Sequence, residues 1–144
     1  MSIEQISVFL ENKPGSLYNM TDVLAKNGID MRALSLAEAS DFGIARIITD
    51  DVYKTSMVLK EAGFVCSLTP VLGVRIPDVP GGLSNVIGIL TEAEVNVEYM
   101  YAFMGDKKEN SAYMIFRVTD PAKAAKALTK QGIRLAEPED IRNL

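Results

Sequence analysis

The chain has 144 residues and a mass of 15.7 kDa, a length typical of one ordinary domain or two very small ones. Its composition, 48% hydrophobic and 24% charged, is that of a folded protein with a core. The chain contains no histidine and one cysteine, which excludes histidine-based catalysis, histidine-ligated metals and an internal disulfide. A net charge of −4 without a basic patch argues against nucleic acid as a partner.

Targeting signals are missing from the sequence. The N-terminus has no basic segment followed by an apolar stretch, and no apolar run approaches the length of a membrane span. We therefore expect a cytoplasmic protein that has no membrane partner. Cys66 lies in an apolar run, and we interpret it as a small buried hydrophobic residue rather than a nucleophile.

The first half of the chain contains a clear alternation of strand and helix patterns. Residues 6–10 alternate between apolar and polar side chains, which predicts a half-buried strand. Pro14 and Gly15 end that strand, and the apolar residues then recur at helical spacing up to a C-cap at Gly28. The elements predicted to follow are a strand from Ile29, a turn at residues 40–41, a strand over Phe42–Thr49, a helix capped by Asp50 and a short strand from Phe64.

The second half repeats the first. Residues 6–31 align with residues 72–97 at a constant offset of 66, and a later anchor, residues 48–50 against 118–120, has an offset of 70. The second copy would then carry four extra residues, which we place in the polar loop at 105–110. The chain is thus a duplication of a unit of about seventy residues.

The element order in each copy is strand, helix, strand, strand, helix, strand. This order predicts an α+β fold of two ferredoxin-like βαββαβ units, each an antiparallel sheet with both helices on one face. We place the units at residues 1–70 and 71–144. In the second unit Asp120 and Pro121 predict the start of the second helix, and a short strand is expected from Ile133. Because the junction between the units is short, we expect them to be packed together.

The loop between the first strand and the first helix is the most informative feature, and it occurs in both copies. Unpaired N–H groups at a helix N-terminus favour an anion, and a glycine there lets a ligand approach the backbone. The Asn12 side chain can both donate and accept hydrogen bonds. A free amino acid needs this combination. A turn without a ligand explains the same residues, and the sequence alone leaves both interpretations open.

The residues of this loop and of the following helix end resemble a known family, the ACT domain. The run from Asn12 to Leu17 and the later Gly28-Ile29-Asp30-Met31 are similar to its typical pattern, N-x-P-G-x-L followed by G-I-[ND]-I. Residues 78–83 and 95–97 repeat this pattern in the second copy. The resemblance therefore covers two ACT units and leaves only the last eight residues as a tail.

The resemblance implies a function. ACT domains are regulatory modules that bind small ligands, usually amino acids, at interfaces between adjacent units, and this chain is similar to stand-alone tandem ACT proteins. It implies a regulatory protein and not an enzyme, without cofactor or metal, that binds a free amino acid, forms at least a homodimer and acts by self-association or on an enzyme of amino-acid metabolism. The implied ligand-binding residues are Asn12, Pro14, Gly15, Ser16, Leu17, Asp30 and Met31 in the first unit, and Asp78, Pro80, Gly81, Gly82, Leu83, Asn96 and Val97 in the second.

Two acidic residues depart from the family pattern. Asp78 stands where asparagine is usual, and Asp30 stands where the second copy has Asn96. A carboxylate at either position repels a ligand's carboxylate and attracts its ammonium group, so the two units are expected to contribute complementary halves of a site. The other interpretation is that both are solvated turn residues. The alternative function is a ligand-free structural or protein-interaction module.

Overall fold

The computed structural model describes residues 2–104 and 111–143. Its contacts divide the chain into two compact units. The first, here the N-terminal unit, spans Glu4–Thr69, and the second, the C-terminal unit, comprises residues 2–3 and the described residues from Pro70 onward. In the described ranges no helix is long and apolar enough to cross a membrane.

The N-terminal unit has the predicted ferredoxin-like order. Alternate residues of its first strand, among them Ile6 and Val8, pack with Leu24 of the first helix and Leu59 of the second in one core, so both helices cover the same sheet face. The strands follow the order β2-β3-β1-β4, with β3 antiparallel to both β1 and β2. The elements are β1 (Ile3–Glu11), α1 (Ser16–Lys26), β2 (Met31–Ala39), β3 (Phe42–Thr49), α2 (Val52–Glu61) and the first part of β4 (Val65–Pro77).

The C-terminal unit repeats this architecture around its own core. Val74, Phe116 and Leu128 pack together with Val86 and Leu90. The strand after β4 in space is β6, which is antiparallel to β4 and to β5. The elements after β4 are α3 (Gly82–Glu92), β5 (Val97–Ala102), β6 (Ser111–Val118), α4 (Pro121–Lys130) and α5 (Pro138–Arg142).

Strand β4 differs from the prediction because it runs through the predicted junction between the units. Its 13 residues join the short strand expected from Phe64 to the strand expected around Leu72. Pro70 lacks an N–H donor, but its fixed φ is compatible with extended backbone, and its carbonyl accepts a hydrogen bond from Arg117 at 2.9 Å. The strand predicted from Ile133 is reduced to an isolated bridge on β4.

Residues 137–143, in the tail that the family resemblance left uncovered, contain a short helix. Pro138 occupies the first turn of α5, and the Asp140 carboxylate accepts a hydrogen bond from the N–H of Glu137 at 2.8 Å, as in a capping box. Ile141 is buried. Residues 138–142 therefore form a short helix.

The N-cap of α2 corrects the alignment of the two copies. Asp51, and not Asp50 as predicted, caps α2 by accepting a hydrogen bond from the N–H three residues on, as Asp120 does in α4. The Asp50 carboxylate instead accepts from the N–H of Asp30 at 3.1 Å. The offset in this part of the chain is therefore 69 and the second copy has three extra residues, not four. The loop at 105–110, where we placed them, lies outside the described residues.

Candidate functional site

The loop between β1 and α1 leaves the start of α1 open. Gly15 is the N-cap and has a φ of 93°, in the left-handed region that favours glycine. Among the described residues no side chain caps this helix, whereas a carboxylate caps α2. The N–H of Ser16 donates to the carbonyl of Lys13 at 3.3 Å, and the N–H groups of Leu17 and Tyr18 in the first turn of α1 are left for water or a ligand. This backbone conformation is one reason for a glycine at position 15. The sequence analysis had given another reason, the close approach of a ligand to the backbone.

A cavity of about 320 Å³ lies beside this end of α1. Its floor is Gly43 of β3, which pairs with Leu10 on one side and Glu38 on the other. Gly43 lies two residues before Ala45, a core residue, so it faces the helices. A Cβ on Gly43 would lie 3.0 Å from the carbonyl oxygen of Ala37 and 3.6 Å from the Leu36 side chain, so glycine allows the close approach of β2 and leaves bare backbone as the floor. The apolar lining residues are Leu10, Leu17, Leu36 and Ala37.

Charged and polar side chains form the remaining wall of the cavity. Lys13 pairs with Glu11 at 2.9 Å, and both side chains are largely exposed. In the part of the chain that the structure describes, Glu38 has no ion pair. The polar lining residues are Glu11, Asn12, Lys13, Ser16 and Glu38.

Asn12 lines the cavity and is also hydrogen-bonded within the protein. Its side-chain Nδ2 donates to the carbonyl of Ser40 at 3.0 Å, and its backbone N–H donates to the carbonyl of Asp41 at 2.9 Å. Both acceptors belong to the turn between β2 and β3. Asn12 therefore fastens this turn to the loop at the end of the cavity, and one N–H of the amide expected to meet a ligand carboxylate is used within the protein.

The predicted residues of the N-terminal unit do not all come together. Ser16 and Leu17 line the cavity with Asn12, while Pro14 and Gly15 shape the loop beside it. The other two predicted residues, Asp30 and Met31, lie at the far end of β2, whose nine residues span roughly 27 Å.

Local contacts account for Asp30. Its carboxylate pairs with Arg32 at 3.1 Å, and its N–H and carbonyl bond with Asp50. These bonds tie the start of β2 to the end of β3. A single small ligand cannot touch both Asp30 and the cavity within one unit.

The equivalent loop of the C-terminal unit is held differently. Gly81, with a φ of 85°, is the N-cap of α3, again without a side-chain cap among the described residues. A Cβ on the next residue, Gly82, would lie 2.4 Å from the carbonyl oxygen of Pro77, so close packing against β4 requires glycine here. Asp78 and Pro80 are exposed in the loop, and Leu83 is exposed at the start of α3.

A wider groove of about 520 Å³ is lined by Gly81 on the helix side of the C-terminal unit. Other lining residues are Ser84 and Gly88 of α3 and Gln131 after α4. No other predicted site residue of this unit lines it. This groove runs along the surface of α3, whereas the cavity beside α1 lies between the sheet and the start of the helix.

Asn96 and Val97 are placed in the C-terminal unit as Asp30 and Met31 are in the N-terminal unit, at the start of the second strand. The N–H of Asn96 donates to the hydroxyl of Thr119 at 3.1 Å, and Val97 pairs with Val118. This is the opposite end of the sheet from the loop at Gly81, because that loop follows Pro77, which pairs with the first residue of β6. In this unit too, the two predicted groups lie apart.

Sequence reasoning predicted three of the ten lining residues and missed seven. The missed residues are Leu10, Glu11 and Lys13 before the helix, and Leu36, Ala37, Glu38 and Gly43 on β2 and β3. A glycine inside a strand is a known indication of a bulge or a close approach, and Gly43 carried that signal. The short turn at residues 40–41 sets the pairing of β2 with β3 and would have placed Glu38 opposite Gly43. Among the described residues no cluster of acidic or cysteine side chains is arranged to hold a metal ion.

The sequence matches the ACT domain pair over residues 1–144. This chain belongs to the ACT domain family. The ACT domain pair is a regulatory module, and both the resemblance and the ferredoxin-like fold predicted from the sequence are confirmed.

Solved structures agree with this assignment. Protein BT0572 from Bacteroides thetaiotaomicron is 39% identical, with a TM-score of 0.92 over 100% of this chain and 98% of that one. The ligand-free regulatory subunit of aspartate kinase from Thermus thermophilus is 17% identical, with a TM-score of 0.64 over 88% of this chain and 91% of that one. Aspartate kinase from Synechocystis is 16% identical, with a TM-score of 0.58 over 95% of this chain and 28% of that one. The last two show a shared fold. None of the curated protein sequences matches the chain.

Proposed function

We propose that this ACT domain pair is a cytoplasmic regulatory protein that binds a free amino acid in the cavity beside α1. The observation that carries the proposal is the meeting of opposite electrostatic features in one small space. An uncapped helix N-terminus lies on one side and the Glu38 carboxylate on the other. The lone cysteine, Cys66, is a free thiol, as suits a reducing compartment.

A zwitterion matches both features. The N-terminus of a helix has the equivalent of roughly half a positive charge and free N–H donors, which favour a carboxylate. Glu38 offers acceptors for an ammonium group. A volume of about 320 Å³ is at the small end of ligand cavities, which suits a single amino acid.

We propose further that the ligand is held between ACT units of two copies. Leu36 lines the cavity and is 54% exposed, so the cavity is not closed by its own unit. Asp30 and Met31 lie too far from the cavity to contribute within one unit, and a second copy would be needed to bring them in. The protein would then be at least a homodimer.

The signal would pass through association. A ligand shifts an equilibrium between two forms only by its difference in affinity for them, so binding at an interface changes association directly. The shared fold with the regulatory subunit of an aspartate kinase supports an enzyme of amino-acid metabolism as the partner.

The test is thermal denaturation of the full chain with each of the twenty amino acids. A ligand at a hundred times its dissociation constant should add about 2.7 kcal/mol of apparent stability. If none of the twenty raises the melting temperature, the proposal fails and a ligand-free interaction module is favoured.

A matched pair of variants locates the site. Gly43→Val fills the floor of the cavity, and Ala112→Val makes a similar change at the equivalent position of the C-terminal unit, where Ala112 pairs with Ile76 as Gly43 pairs with Leu10. We expect Gly43→Val to remove the ligand-induced shift and Ala112→Val to keep it, with circular dichroism showing that both variants are folded. Sedimentation velocity with and without the ligand then tests whether association changes.

A further inference from the structure

The apolar wall of the cavity is built from leucines of three different elements. Leu10 of β1 is 5% exposed, Leu17 of α1 is half-buried and Leu36 of β2 is 54% exposed. All three line the same space. An aliphatic group placed there would remove apolar surface of Leu36 from water, which is favourable in proportion to the area covered.

The charged side chains that line the cavity differ in whether they already have a partner within the protein. Lys13 lies 2.9 Å from Glu11 and forms an ion pair with it at the surface. Glu38 lines the cavity without an ion pair in the described ranges. The cavity therefore has one carboxylate available for a cation and no comparably free cation for an acidic side chain.

These features discriminate among amino acids. An acidic side chain would meet Glu38 and find Lys13 already paired, so repulsion would weaken its binding. A basic side chain would bring a second cation, which would have to lie against the leucine wall and lose its hydration. An aliphatic side chain has neither problem.

Given the amino-acid-binding function proposed above, we infer that the ligand is an amino acid with an uncharged aliphatic side chain, such as leucine, isoleucine or valine. Its ammonium group pairs with Glu38, its carboxylate meets the open first turn of α1, and its side chain packs against Leu10, Leu17 and Leu36. Sequence reasoning had assigned the ammonium group to Asp30 or Asp78; here Glu38 takes that part.

Isothermal titration calorimetry on the full chain tests this inference. The ligands are leucine, isoleucine, valine, lysine, glutamate and 4-methylpentanoate, which is leucine without its ammonium group. We expect the aliphatic amino acids to bind at least about tenfold more tightly than lysine, glutamate or 4-methylpentanoate, the equivalent of one hydrogen bond to a charged group.

Variants of two glutamates provide the internal control. Glu38→Gln should weaken leucine binding about tenfold and leave 4-methylpentanoate unchanged, because only leucine has the ammonium group. Glu61→Gln makes the same charge change at an exposed position at the end of α2 that does not line the cavity, and it should alter neither.

The possible failures are distinguishable. Tightest binding of lysine or glutamate would overturn the aliphatic class and leave amino-acid binding intact. Leucine binding that is equal in the Glu38→Gln variant and the unaltered chain would overturn the assignment of Glu38. Binding of none of the twenty amino acids would overturn the proposed function itself.

Discussion

The two loops that begin α1 and α3 are copies of one another, yet they differ one residue later. Both helices start at a glycine in the left-handed conformation, Gly15 and Gly81, and neither has a side-chain cap among the described residues. The next residue is Ser16 in one and Gly82 in the other. Ser16 lines a cavity, whereas Gly82 is pressed against the carbonyl of Pro77.

The two units differ in whether the glycine lies on the sheet or at the start of the helix, and this explains why only one helix start lies beside a cavity. In the N-terminal unit the glycine lies on the sheet, at Gly43, and forms the floor of the cavity beside α1. In the C-terminal unit the sheet position is Ala112, and the helix has the glycine. Duplication thus copied the backbone bend, while the glycine that lacks a Cβ lies on the sheet in one copy and on the helix in the other.

The largest expected effect comes from Gly82→Ala. A Cβ 2.4 Å from a backbone oxygen forces α3 or β4 to move, and we expect a loss of about 2 to 3 kcal/mol in the free energy of unfolding. The measurement is urea denaturation. The matched change is Ser16→Ala, expected to cost less than about 0.5 kcal/mol as a surface substitution. Equal effects of the two variants would show that the two helix starts are packed alike.

The next effect concerns Asn12, whose counterpart is Asp78. Asn12→Asp gives the first loop the side chain of the second and removes the donor to Ser40, leaving a carboxylate beside a carbonyl. Because this hydrogen bond is exposed, we expect a loss of about 0.5 to 1.5 kcal/mol and faster hydrogen exchange in the turn between β2 and β3.

The control for Asn12→Asp is Asn19→Asp, on the exposed surface of α1. An acidic residue in the first half of a helix is favourable, so no loss is expected there. If Asn12→Asp leaves both stability and exchange unaltered, then Asn12 does not fasten the turn.

Most of the fold could be predicted because its causes are local. Alternation of apolar residues, the Pro-Gly bend and the repeat gave the element order of both units. One wrong prediction, the N-cap of α2, was a choice between two adjacent residues. Asp50 and Asp51 are both good N-caps, and only the register of the end of β3 decides between them. Pro70 and Gly73 are typical strand breakers, but the extended backbone from Val65 to Pro77 accommodates both, so the two predicted strands form one.

The site was harder to predict because its residues are joined by strand pairing. Asn12, Ser16 and Leu17 follow one another closely in the chain, and the motif identified them together. Glu38 and Gly43 reach the same cavity only through the pairing of β2 with β3 and β1. A motif read along the chain does not contain such long-range information.

The smallest expected effect concerns how the first helix of each unit ends. Gly28 after α1 and Glu94 after α3 both have positive φ, 66° and 58°, and the residue after each donates to a carbonyl five residues earlier, at 3.0 and 2.9 Å. A glutamate is strained in this conformation and a glycine is not. Glu94→Gly should therefore stabilise the chain by about 0.5 to 1 kcal/mol, less than the full strain because glycine also makes the unfolded chain more flexible.

Urea denaturation of Glu94→Gly should be compared with the reverse change, Gly28→Ala, which is expected to cost about 1 kcal/mol. Opposite signs would show that the two helix ends have the same geometry with unequal strain. A Glu94→Gly variant that is less stable than the unaltered chain would contradict this, since it would mean that contacts of the glutamate side chain outweigh the strain of its backbone. The C-terminal unit would then be the better adapted of the two copies at this position.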